Sequence, residues 1–422
     1  MPARHVVAVV LGNALEFYDF LTYSFFAVYI GRAFFPSASP TSSLLASLGA
    51  FGAGFVTRPI GGLVIGRMGD RAGRKPAMIL SFSLMGVAIF GLALTPPRAI
   101  IGIAAPILVV IFRMIQGFAL GGEVGPTTAF LLESAPPERR GFYTSFQYWT
   151  QDLSVLIAGL VGFILASFLN AGQLQSYGWR IAFLVGGTII PFGLMMRRSL
   201  PETFYSHGRG KNERTPLRPH AWVALIGLVL IASGTVGTYV SDYMTTYAIS
   251  TLHLRANVAF SATVVIGVCG VTFDLISGAL SDRIGRKPMM LIPGTLLLLA
   301  IIPSFYFINR FHTAAALLTA TAVFYSLASL STAPVIIWLT ESLPAGIRSS
   351  GVAVVYAVAI ALFGGTTQLI ITELIKVTHS PEAPAWYWTG AAIVGICAML
   401  ATRESAPCKL GQKSGAADSV HR

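Results

Sequence analysis

Gly66-Arg-Met-Gly-Asp70-Arg71-Ala-Gly73-Arg74-Lys75 recurs in the same chain as Gly278-Ala-Leu-Ser-Asp282-Arg283-Ile-Gly285-Arg286-Lys287. Both stretches read G-x-x-x-D-R-x-G-R-K, both are followed by proline, and both lie between long apolar runs. A second echo lies downstream of each. Glu133-Ser-Ala-Pro136 with Arg140 returns as Glu341-Ser-Leu-Pro344 with Arg348. The spacing of about 210 residues makes one half of the chain a copy of the other, a period suited to two homologous membrane halves and too long for a solenoid.

Composition agrees with that reading. The 422 residues are 54% hydrophobic and 11% charged, with a mean hydropathy of +0.71. Soluble chains carry about 25% charged residues. Twelve apolar segments have the length of a bilayer span, about 20 residues. They fall near 6–30, 44–66, 77–95, 100–124, 143–169, 180–197, 221–246, 257–280, 289–307, 314–339, 350–374 and 385–402. The expected fold is an all-α membrane protein of two six-helix bundles, residues 1–197 and 221–403. A cytoplasmic linker (198–220) joins them, and a disordered cytoplasmic tail (404–422) follows. The apolar N-terminus is interrupted by Glu16 and Asp19 and has no small-x-small cleavage site, so it reads as a retained first helix.

The net charge of +12 needs no nucleic acid. Of the 29 Lys and Arg residues, Arg32, Arg98, Arg180, Arg255, Arg310 and Lys376 lie on one side, and Arg58 and Arg113 lie within spans. The remainder share the other side, which by the positive-inside bias is the cytoplasm and holds both termini. Cys269, Cys397 and Cys408 are scattered and set no disulfide or metal pattern. No nucleophile–base spacing, metal-ligand cluster or Walker sequence is present, so no enzyme activity and no cofactor is expected, and an ion gradient is the energy source.

Ionisable groups inside spans mark pathways and find partners. Asp19 lies ~20 Å along the first helix at 1.5 Å per residue, near the bilayer centre. Glu16 is one turn below on the same face. This pair either carries a proton or bridges permanently to arginine. Arg113 and Arg58 stay charged and grip carboxylates with two parallel hydrogen bonds; they serve either an anionic substrate or the acids Asp19, Glu16 and Glu123, the last being, like Asp274, a further candidate to carry the proton. Gln147 and Gln151, with Gln116 as a neighbour, form a polar stripe that binds substrate or holds helices together. Tyr18 and the i+4 series Tyr239, Tyr243 and Tyr247, with Asp242 beside it, are candidates for lining the vestibule. Asp274 either titrates or pairs with Arg283. Asp70 and Asp282 can cap helix ends and pair with Arg71, Arg74, Arg283 or Arg286, forming a gate.

The doubled motif resembles the major facilitator superfamily over essentially the whole chain. Gly12-Asn-Ala-Leu-Glu16-Phe-Tyr18-Asp19-Phe, Arg58-Pro-Ile-Gly-Gly62, Arg113-x-x-Gln116-Gly-x-x-x-Gly121-Gly-Glu123 and Arg198-Ser-Leu-Pro-Glu202-Thr resemble its metabolite–proton symporter family. Gly141-Phe-Tyr-Thr-Ser-Phe-Gln147, Phe363-Gly-Gly365 and Trp386-Tyr-Trp388 are most similar to the citrate and tricarballylate carriers. Gln368, a candidate substrate contact, stands where those carriers have proline, and Asp274 where they have an apolar residue, which places an extra amide and an extra acid near the pathway.

The resemblance implies a monomeric secondary transporter of the bacterial inner membrane. It would import citrate or a related tri- or dicarboxylate with protons, or with sodium in their place. The loop between the second and third helices would latch the halves on the cytoplasmic side. Other solutes of the family (2-oxoglutarate, a shikimate-like acid, betaine or proline), an efflux antiporter and a non-transporting sensor remain open readings.

Overall fold

The computed structural model describes residues 17, 18, 20–72, 74–121, 124–188 and 220–409, and all regular structure among them is helical. Parts of all twelve spans can be followed. They are α1 (residues 20–25 and Ala27–Phe34), α2 (Pro40–Val56, continued by Arg58–Ala72), α3 (Arg74–Leu94) and α4 (Ala104–Leu120, continued by Val124–Ser134). Then come α5 (Arg140–Phe168), α6 (residues 179–188) and α7 (Ala221–Asp242, continued by Met244–Ser250). The last five are α8 (Ala256–Ile284), α9 (Arg286–Phe311), α10 (Ala314–Ser342), α11 (Ala345–Thr378) and α12 (Ala383–Ala401). Glu16, Asp19, Glu123, nearly all of the linker and the tail from residue 410 lie outside the described residues, as do the side chains of Asp70, Arg71 and Arg74.

Eight of the helices are individually long and apolar enough to cross a membrane. Their outward faces carry rows of exposed aliphatics, such as Ile103, Ile107 and Ile111 on α4 and Ile292, Leu296 and Leu299 on α9. Where apolar surface faces lipid, the inner faces must associate through close packing and polar contacts.

Proline shapes the spans in two ways. In α2 the helix breaks at Thr57, two residues before Pro59, and Thr57 Oγ1 donates to the carbonyl of Met114 at 2.7 Å. In α10 the helix continues through Pro334. Pro334 has no N–H for the Leu330 carbonyl one turn back. Ser277 of α8 supplies the missing donor at 2.6 Å. A neighbouring hydroxyl thus replaces the lost helix bond.

Helices α1–α6 and α7–α12 form the two bundles. They meet most extensively along α5 and α8, with α2 and the second segment of α4 against α11. Both ten-residue loops lie at one end, the motif end, and the halves touch at both ends. At the far end Phe26 of α1 packs on Phe260 of α8, ring centroids 4.8 Å apart. Between the halves lies a cavity lined by residues of both bundles, among them Gln151 and Asp152 of α5 and Asp242, Asp274 and Tyr325 of the C-terminal half.

Candidate functional site

Two arginines stand on the N-terminal side of this core. Glycines set their position. A Cβ on Gly117 would overlap the Gly54 carbonyl, and one on Gly121 would overlap the carbonyl of Arg58. Backbones of α2 and α4 therefore touch, which brings Arg58 and Arg113 to one aromatic cage. Their guanidinium carbons lie 4.3 and 4.2 Å from the Phe20 ring centroid. Phe55 flanks Arg58 at 4.6 Å; Tyr23 and Phe51 flank Arg113 at 4.6 and 4.9 Å. Both side chains are buried, and Arg113 Nη1 donates to Gln116 Oε1 at 2.6 Å. Arg58 Nε and Nη2 have no hydrogen-bond partner among the described residues. Cation–π contact returns about 2 kcal/mol when desolvated, against several kcal/mol for burying an ion. The deficit favours an anion at Arg58.

The other candidate side chains divide into committed and uncommitted groups. Tyr18 donates to the Ala182 carbonyl at 2.9 Å and ties α1 to α6. Tyr243 accepts from Thr372 Oγ1 at 2.9 Å. Gln368 Nε2 donates to Ser24 Oγ at 2.7 Å, which joins α11 to α1 across the halves. By contrast, buried Gln147 has neither its amide oxygen nor its nitrogen satisfied among the described residues. Gln151 lines the cavity, accepts from Tyr356 Oη at 3.3 Å and leaves Nε2 unpartnered. Tyr239 also lines the cavity, with its ring 5.5 Å from Phe55 and hence beside Arg58. The tyrosine series does not act as one stripe, because α7 breaks at Tyr243. Tyr247 is fully buried and donates to the Pro381 carbonyl at 2.7 Å, so it belongs to no interfacial belt.

The cavity's remaining chemistry is acidic. Asp152 of α5, Asp242 of α7 and Asp274 of α8 all line it, together with Tyr148, Tyr325 and Tyr356; the described residues of the lining include no Lys, Arg or His. Asp274 faces Asp152, whereas Arg283 is exposed nine residues further on, so the expected alternative of an Asp274–Arg283 pair is not formed. The sequence reading passed over Asp152. Its signal was an acid at the thirteenth position of a 29-residue apolar helix, and such a residue is a functional candidate by default.

At the motif end Asp282 accepts from the backbone N–H groups of Gly141 and Phe142, at 2.7 and 3.0 Å, where α5 begins in the other half. The same carboxylate pairs with Arg286 Nη1 at 2.8 Å. Arg286 also grips both oxygens of Glu341, at 3.1 and 2.9 Å, so motif and echo form one cluster. Gly285, with φ of +112°, makes the one-residue turn from α8 into α9. The copies are not used alike: Glu133 pairs across the halves with Arg348 at 2.9 Å. Asp282→Asn removes the charge at the start of α5 and half of the acceptor capacity. Hydrogen bonds to charged groups are worth about 1.5–3 kcal/mol, so spin-label distances between α5 and α8 at the motif end should show a much larger open population. An unchanged distance distribution would remove Asp282 from the gate.

A family model described as Major Facilitator Superfamily matches residues 9–367. The chain belongs to the major facilitator superfamily. Among curated superfamily members, the citrate-proton symporter of Klebsiella pneumoniae is 34% identical, covering 93% of this chain and 90% of that protein. The alpha-ketoglutarate permease of Escherichia coli K12 is also 34% identical, over 94% and 92%. The proline/betaine transporter of the same strain is 28% identical, over 99% and 86%. Among solved structures, a D-xylose-proton symporter superposes with a TM-score of 0.76 at 21% identity, covering 94% and 95% of the two chains. The E. coli xylose transporter XylE in a partially occluded inward-open conformation gives 0.77 at 18% identity, over 95% and 97%. At such identity the structures share the fold: two six-helix bundles of the major facilitator type.

Proposed function

We propose that this protein is a proton-coupled symporter that imports an organic acid, citrate or a related tri- or dicarboxylate, across a bacterial inner membrane. The observation that carries the reading is buried Arg58, whose Nε and Nη2 face no partner among the described residues. A guanidinium fork fits a carboxylate with two parallel hydrogen bonds. Gln147 and Gln151 offer further unmet donors nearby in the core. Relatives named as citrate-proton symporters and an alpha-ketoglutarate permease support a carboxylate as cargo.

The bundles, residues 1–197 and 221–403, would rock about the midplane site, with the linker and both termini in the cytoplasm. Asp282 and its motif partner Asp70 would latch that side. The cargo leaves chemically unchanged, and the protein works as a monomer.

One observation favours a second reading. The described lining of the cavity is acidic and rich in tyrosine, with Arg58 behind Tyr239 and Tyr356, and a zwitterion could place its ammonium among the acids and its carboxylate toward Arg58. Uptake of labelled citrate, tricarballylate, 2-oxoglutarate and betaine by cells expressing the protein separates the two. The carboxylate reading expects citrate or another polycarboxylate to accumulate, more at acidic external pH. Accumulation of betaine alone would overturn it.

A further inference from the structure

Asp152 and Asp274 belong to different halves of the molecule, on the two helices that make the most extensive contact between them. Their meeting depends on glycine. A Cβ on Gly270, one turn before Asp274, would overlap the Asp152 carboxyl, so only bare backbone leaves room for that side chain. Tyr325 of α10 fixes the carboxyl by donating to Asp152 Oδ1 at 2.7 Å. The Asp152 carboxyl therefore lies against α8 one turn before Asp274, and the two acids line the same cavity. Both are buried, and Asp274 Oδ2 has no further partner among the described residues.

A hydrogen bond between two carboxyl groups needs a proton on one of them, since ionised carboxylates only accept. Among the described residues that line the cavity there is no positive charge. Facing the pair are Tyr148 from α5, Tyr239 and Asp242 from α7, Cys269 from α8 itself, Tyr325 from α10 and Tyr356 from α11. From α1 the described lining residues are the apolar Phe17 and Leu21. Arg58 stands behind Tyr239 and Tyr356, outside the lining. Asp242 is a third acid close enough to interact electrostatically with Asp152. It is 1% exposed, lines the same cavity, and has both carboxyl oxygens without a partner among the described residues. A metal ion is the alternative occupant of such a place. No group of three or more His, Cys, Asp or Glu side chains among the described residues is gathered closely enough to hold one.

We propose that Asp152 and Asp274 form a shared-proton site between the two halves, made when α5 and α8 close and broken when they part. The proposal rests on the symporter reading. With the halves closed, the pair holds one proton and a net charge of −1. When the halves separate, the O–H···O bond breaks and both carboxyls meet water. The O–H bond then ionises, its electron pair stays on the carboxylate, and the proton leaves as hydronium. Loading runs in reverse on the other side. Protonation also serves the cargo, because closing the halves around a polyanion brings it against three aspartates, and the shared proton lowers that like-charge repulsion.

Infrared difference titration of the purified full chain reads protonated carboxyls directly through their C=O stretch. Wild type should show a carboxylic-acid band that disappears as pH rises, and Asp152→Asn and Asp274→Asn should each remove it. Tyr325→Phe keeps the ring but deletes the donor to Asp152, so it should keep the band and move its pH midpoint. In proteoliposomes loaded with labelled citrate, Asp152→Asn should still exchange citrate while its pH-driven accumulation ratio falls to one. A band unaffected by either Asn substitution overturns the proposal. If those variants misfold, an unmoved midpoint in Tyr325→Phe overturns it instead. A wild type that shows the pair's band but never accumulates a carboxylate under a pH gradient would sink the symporter reading and leave the shared proton standing.

Discussion

Arg58→Ala is expected to cut carboxylate uptake at sub-saturating substrate by about 30-fold or more, since truncating one side of a buried charge pair costs roughly 2–5 kcal/mol. Arg58→Lys should recover little. Lysine keeps the charge but loses the flat fork and its stacking on Phe20 and Phe55. A purely structural arginine would behave differently. Removing one partner of a buried ion pair destabilises a protein by about 3–5 kcal/mol. Arg58 has two unmet donors in an aromatic cage, so Arg58→Met should fold at least as stably as wild type while failing to transport. Melting temperature and initial uptake rate, measured on the same variant, separate the roles. A destabilised Arg58→Met with wild-type uptake per folded molecule would return this residue to the scaffold.

Gly267→Leu should be as damaging by a different route. A Cβ at Gly267 would run into the backbone of Leu156, so a leucine there wedges α8 away from α5. Overpacking a tight contact costs about 1–3 kcal/mol, and here the strain is relieved simply by not closing. The variant should bind substrate from the open side yet fail both net uptake and exchange, because each requires the closed state. Normal exchange would mean that α5 and α8 need not approach this closely during the cycle.

Much of the fold was legible in the sequence, because span length and a doubled motif are one-dimensional signals. Arg58 and Arg113 stood out for the same reason: charges inside apolar runs. What escaped depends on helix rotation. Gln147 and Gln151 read as the polar stripe of α5, but Asp152, one residue further on, reaches the cavity through a gap that only Gly270 of another helix provides. Gln368 reads as a substrate contact, and its amide instead bonds Ser24 of α1 across the halves, a pairing that sequence separation does not reveal. Asp274 looked close enough to Arg283 to pair, but the two lie on different faces of α8, one buried and one exposed. The near-identity of the two motif copies also concealed a difference: Glu341 pairs within its own half, and Glu133 pairs with the other.

Coupled movement of proton and carboxylate is the centre of the account, and purified protein in sealed proteoliposomes measures it most directly. With labelled citrate outside, an inwardly directed pH gradient should drive internal citrate above the external concentration. A protonophore should abolish that accumulation, and a pH dye inside should report acidification that starts with citrate addition. Citrate that enters only to equilibrium, with no acidification and no response to the protonophore, would contradict proton-coupled import.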